Sequence, residues 1–131
     1  MTARTFAFVS ALFAMLAAAV APATAGEWKP FDKAAFAAAQ DAGKSVVVAV
    51  TAPWCPTCKA QRPIIDELID GPDFKDVTIY EIDFDTGKDL MKPFNARSQS
   101  TIIAFKGKTE TGRSVGDTNP ASIDALLKSA L

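Results

Sequence analysis

Residues 45–70 read SVVVAVTAPWCPTCKAQRPIIDELID, and the change of pattern inside this stretch decides the architecture. Ser45 to Thr51 is an unbroken, β-branched apolar run, which fits a strand covered on both faces rather than one with a wet side. From Pro56 to Asp70 the period becomes helical: Ile64, Ile65, Leu68 and Ile69 share one stripe, and Gly71-Pro72 supplies the stop. A buried strand feeding an amphipathic helix sets Cys55-Pro56-Thr57-Cys58 at the joint, on a helix N-terminus.

The flanking segments alternate in the same way. Asp32 to Asp41 is alanine-rich, has Phe31 and Phe36 as apolar anchors and stops at Gly43, so a helix with an aspartate N-cap is expected. Val77 to Asp83 reads as a second strand and Lys88 to Phe94 as a short helix. Thr101 to Phe105 and Glu110 to Val115 flank Lys106-Gly107-Lys108, a hairpin with a glycine turn. Pro120 to Leu131 closes the chain as a helix capped by Asn119, with Ile123, Leu126 and Leu127 on its buried face. The predicted order is α β α β α β β α, an α/β three-layer sandwich with a mixed central sheet.

At the N-terminus one cation, Arg4, precedes an uncharged stretch rich in alanine and phenylalanine that ends in Ala23-Thr24-Ala25. This pattern predicts a signal peptide over residues 1–25 and one domain over residues 26–131. The span from Thr5 to Gly26 is long enough to cross a bilayer, so an uncleaved anchor is the alternative; Ser10 and Pro22 interrupt its apolar core and favour cleavage. Export is the expected fate, with the bacterial periplasm as the compartment, and there a cysteine pair can exist as a disulfide.

Composition removes whole classes of function. The 131 residues carry 14 basic and 15 acidic side chains, a net charge of -1, with no charge run, so nucleic acid is not an expected partner. Histidine is absent and there are 2 cysteines, which excludes histidine-based triads, Cys-His proteases and a four-ligand Cys/His zinc site within one chain. A monomer is expected. The chemistry has to come from thiols, carboxylates, hydroxyls or lysine.

Among these, the thiols stand out by position. The first amides of a helix lack partners, and the partial positive charge there favours a thiolate. Cys55 is therefore expected as an exposed nucleophile of lowered pKa, and Cys58, one turn inside, as the resolving thiol that closes a Cys55–Cys58 disulfide. A structural disulfide is the weaker alternative, since so short a loop removes little entropy from the unfolded chain. A metal shared between chains, or held with an external ligand, stays open.

Ala52-Pro53-Trp54-Cys55-Pro56-Thr57-Cys58-Lys59, followed by Pro63-Ile64-Ile65-Asp66-Glu67-Leu68, resembles the signature of the thioredoxin family. Phe94 to Lys106 resembles that family's passage through a cis-proline into its fourth strand, and Val115-Gly116 with the last helix resembles its end. The likeness spans residues 27 to 131. It implies a thioredoxin-like sandwich and a thiol:disulfide oxidoreductase with Cys55 attacking and Cys58 resolving, needing no cofactor beyond the dithiol. Protein thiol or disulfide clients are implied as partners, met by Trp54, Pro56, Thr57, Gln99, Ser100 and Thr101.

Three positions depart from the family pattern. Ser100 replaces the cis-proline, and since a cis bond before a non-proline residue costs about 3 kcal/mol, a trans Gln99–Ser100 peptide is expected. Loss of the ring is expected to uncover the dithiol, which keeps a metal-binding or partner-docking module without turnover as the alternative function; the Ser100 hydroxyl is also a candidate donor to Cys55. Ala49 stands where many members keep a buried acid, and Glu81 where a lysine is common, making Glu81 a candidate proton relay or a plain solvated strand residue. Cys-Pro-Thr-Cys lacks the histidine of a strong oxidant and the chain lacks a helical insertion, so a reductase or isomerase served by a membrane electron donor is expected.

Overall fold

The computed structural model describes residues 25–131, so the leader expected over residues 1–25 lies, apart from Ala25, outside the described residues. The elements are β1 Glu27–Pro30, α1 Lys33–Asp41, β2 Ser45–Thr51, α2 Pro56–Ile69, β3 Thr78–Asp83, α3 Lys88–Met91, β4 Thr101–Lys106, β5 Thr109–Val115 and α4 Pro120–Lys128. Short 3-10 turns occupy Pro72–Phe74 and Lys92–Phe94. The sheet order is β1-β3-β2-β4-β5; the first three strands run parallel, and β4 and β5 each run antiparallel to the strand before them in that order.

The uniformly apolar run proves to be the central strand. Val46, Val48 and Val50 face a cluster with Phe36 of α1, Met91 of α3, Tyr80 and Phe105. Val47 and Ala49 face the other cluster, with Ile65 and Ile69 of α2 and Ile123 and Leu127 of α4. Because side chains alternate along a strand, only a residue run apolar at every position can serve two helical layers at once. Each fully buried valine of this run contributes about 1.5–3 kcal/mol relative to exposure. The three-layer sandwich expected from the sequence is the observed architecture.

The differences are local. β1 was not expected, because Glu-Trp-Lys-Pro has a single large apolar residue and pairs only with β3 at the sheet edge. The helix expected over Lys88 to Phe94 is a four-residue helix and then a 3-10 turn, since Pro93 has no N–H to continue the helical ladder. The last helix stops at Lys128 rather than Leu131. The Gln99–Ser100 peptide is trans.

The N-cap of α4 is as expected: the Asn119 side chain accepts from the amides of Ala121 at 2.9 Å and Ser122 at 3.2 Å. Asn119→Ala should lower stability by about 1 kcal/mol, seen as a lower urea midpoint with unchanged slope. An unchanged midpoint would mean that water replaces the cap.

Candidate active site

The joint between β2 and α2 carries the cysteines. Cys55 is the N-cap of α2 and Pro56 its first residue, where a missing N–H costs nothing. The Cys58 amide donates to Cys55 Sγ at 3.1 Å, so a first-turn orphan donor of the helix is spent on sulfur. The two cysteines are joined as a disulfide. Ala52 and Phe84 pack against them.

Ser100 closes the site from the facing loop. Its φ is 60°, a left-handed conformation that costs a serine about 1–2 kcal/mol. Three bonds hold the backbone there: Ser100 N donates to Val50 O at 2.8 Å, and Ser100 O accepts from Gly116 N at 2.9 Å and from Gln61 Nε2 at 3.3 Å. The hydroxyl then lies 3.1 Å from Cys55 Sγ and 3.2 Å from Cys58 Sγ. Disulfide sulfurs carry no hydrogen, so the hydroxyl is the donor in this state.

This geometry corrects two expectations. Cys55 was expected to be exposed, yet it is 1% exposed and Cys58 7%. Loss of the proline ring was expected to uncover the sulfurs, and instead the left-handed turn swings the Ser100 side chain over them. Ser100 is itself buried.

The other residues singled out in the sequence fall around this centre. Trp54 is exposed, donates from Nε1 to Asp85 Oδ2 at 2.7 Å and stands edge-on to Phe84. Pro56 is exposed, and Thr57 and Gln99 are half-buried. Thr101 is buried and donates through its hydroxyl to Ser98 O at 2.7 Å. Glu81 binds Arg62 at 2.8 Å and makes no hydrogen bond to either sulfur. Arg62 in turn lies over the Trp28 ring, 3.7 Å from its centroid, and pairs with Asp66.

Behind Cys58 lies a cavity of about 270 Å³ bordered by Ala49, Arg62, Glu81 and Asp83. The Thr86 amide, then its hydroxyl, hold the Asp83 carboxyl below its ordinary value, helped by the Asp85 amide and the Lys88 charge. Among the described residues no group of three or more His, Cys, Asp or Glu side chains is placed to hold a metal.

Gln61 escaped the sequence reading. It sits three residues after Cys58, on the same helical face, and that spacing was the available signal. Asp85, in the turn after β3, fixes the Trp54 ring.

Comparison with known proteins agrees with this geometry. The thioredoxin family model matches residues 27–129. Thioredoxin-2 of Saccharomyces cerevisiae is 35% identical over 86 residues, which cover 66% of this chain and 80% of the relative. An H-type thioredoxin of Brassica campestris is 31% identical over 91 residues, 70% of this chain and 72% of the relative. The crystal structure of Trxlp from Edwardsiella tarda superposes with a TM-score of 0.75 at 36% identity, covering 77% of this chain and 98% of that one. With a cysteine pair capping the helix that follows the central strand, and a match over nearly the whole described domain, the chain belongs to the thioredoxin family of thiol:disulfide oxidoreductases.

Proposed function

We propose that this oxidoreductase is exported to the bacterial periplasm and there reduces or isomerises disulfides of protein clients, kept reduced by a membrane electron donor and acting as a monomer. Export is supported by the uncharged leader with its Ala23-Thr24-Ala25 end. The reducing direction is supported by Cys-Pro-Thr-Cys, which places no cationic side chain between the cysteines to favour the reduced state strongly. The observation that carries the reading is the Cys55–Cys58 disulfide on the N-cap of α2, with its amide donor at 3.1 Å.

The reaction balances as a two-electron exchange. The Cys55 thiolate attacks one sulfur of the client disulfide, and the client's other sulfur leaves as a thiolate and takes up a proton. Cys58 then loses its proton and attacks Cys55 Sγ; the mixed disulfide breaks, and the client's second sulfur leaves and is protonated in its turn. The client gains two electrons and two protons, and the Cys55–Cys58 bond seen in the structure is the product. The same bond is reopened when a donor thiolate attacks Cys55 in line with it and Cys58 leaves as a thiolate.

Equilibration with glutathione tests the direction. A potential between about -270 and -180 mV is expected, the range from reducing members to isomerases, together with reduction of insulin by dithiothreitol well above the rate without protein. A potential near about -120 mV would make the protein an oxidant.

A further inference from the structure

Three polar residues are buried among the described residues, Gln61, Ser100 and Thr101, and two of them are bonded to each other. Gln61 lies on the inner face of α2, one turn before Ile65, where an unmatched amide would cost about 1–3 kcal/mol. Its Nε2 donates to Asp117 O at 2.7 Å and to Ser100 O at 3.3 Å. Two carbonyls facing one terminal atom identify that atom as nitrogen. The side chain therefore ties the helix that carries both cysteines to two loops, the one entering β4 and the one leaving β5.

The Ser100 end of this tie matters for the sulfurs. With the Ser100 amide and carbonyl both engaged, the residue is held in its left-handed turn, and every hydrogen bond of its hydroxyl goes to a sulfur. Among the described residues no charged side chain bonds to this hydroxyl. Lys59, Arg62, Glu81 and Asp83 line the cavity on the Cys58 side, Lys88 lies over the Phe84 ring, and Asp85 bonds Trp54. Asp117 offers its backbone to Gln61, while its carboxylate serves Asn119 and Ser122.

We propose that Gln61 is a positioning residue for the thiol chemistry: by tying the Ser100 carbonyl to α2, it holds the Ser100 hydroxyl over Cys55, where it stabilises the thiolate that forms on reduction. The inference rests on Cys55 being the exchanging sulfur. A hydroxyl donates about twice as strongly to an anion as to a neutral acceptor, so the contact favours the reduced protein over the disulfide. The pair Gln61 and Ser100 thus does with a buried amide and a hydroxyl what charge does elsewhere. Its effect is to raise the reduction potential of this site.

The test uses the full chain with Cys58→Ser, so that one thiol remains, and follows thiolate formation by ultraviolet absorbance against pH. Ser100→Ala is expected to raise the midpoint by about one pH unit, the size of a lost hydrogen bond to a charge. Gln61→Met should raise it in the same direction and add nothing once Ser100→Ala is present. In chains that keep both cysteines, Ser100→Ala should move the equilibrium with glutathione up to about tenfold toward the disulfide. Gln61→Leu repeats the arm if the methionine variant does not fold.

A Gln61 substitution that leaves the midpoint unchanged, or shifts it equally with and without the Ser100 hydroxyl, overturns the proposal. Loss of stability alone does not support it. The absorbance is read without a client, so an unchanged profile sinks the Gln61 role while leaving exchange intact. A wild-type protein that reduces no client sinks the exchange reading whatever the profile.

Discussion

Cys55→Ser is expected to abolish client reduction, lowering insulin turnover by about a thousandfold or more to the level of dithiothreitol alone. The fold should survive the change. A serine at the N-cap of α2 accepts the Cys58 amide as well as sulfur does, and the site is already lined by a hydroxyl from Ser100. What is lost is the sulfur assigned to make and break the bond to the client. Cys58→Ser should behave differently, because the first exchange still proceeds and the second does not. It should accumulate a covalent client adduct, visible on a non-reducing gel and released by dithiothreitol. The structure gives this pair of variants its force, since in the disulfide state Cys58 is slightly the less buried of the two residues. If Cys58 were the attacking sulfur, the adduct would collect on Cys55→Ser instead, and the assignment of roles would be reversed.

What the sequence made legible, and what it did not, divides along range. The strand over Ser45–Thr51 and the stripe of α2 are set by short-range periodicity, and both were readable. The caps at Asp32 and Asn119 obey local chemistry and were readable too. The edge strand Glu27–Pro30 was not, because its pairing with β3 comes from a segment some fifty residues away and leaves no alternation in four residues. The burial of Cys55 was misjudged for a related reason. Helix position predicts an outward sulfur, but the covering group comes from Ser100, whose left-handed turn is imposed by Val50, Gly116 and Gln61 together. Gln61 itself reads as one more polar helix residue until two remote loops fold over it. Replacing proline by serine could be noticed in the sequence; which way the serine would point could not.

Ala49→Asp is expected to speed release of the client from its mixed disulfide by about a hundredfold near neutral pH, at the low end of what a positioned base supplies. The argument begins with the proton on Cys58, which must leave before that sulfur can attack. Ala49 is buried on the α2 face of the central strand and borders the same cavity as Cys58, and a space of about 270 Å³ has room for a carboxyl group. The carboxylates already at its edge are committed elsewhere, Glu81 to Arg62 and Asp83 to Thr86 and Asp85. An aspartate at 49 would supply the missing acceptor from within. It should also lower stability by about 1–3 kcal/mol, because the carboxyl leaves water for a half-enclosed site. Burial raises the pKa of such a group in the folded chain, so the folded state binds more protons than the unfolded one through that range. The loss of stability should therefore be smallest in acid, grow as pH rises from the carboxyl's unfolded value through the raised one, and level off above it. The rate gain should appear over the same interval, as the new base ionises. Ala49→Asn gives the same shape without a titrating proton, and rapid-quench measurement of adduct decay compares the two. Equal decay rates in the aspartate and asparagine variants would show that proton removal from Cys58 does not limit resolution, and that the cavity behind it has no part in the reaction.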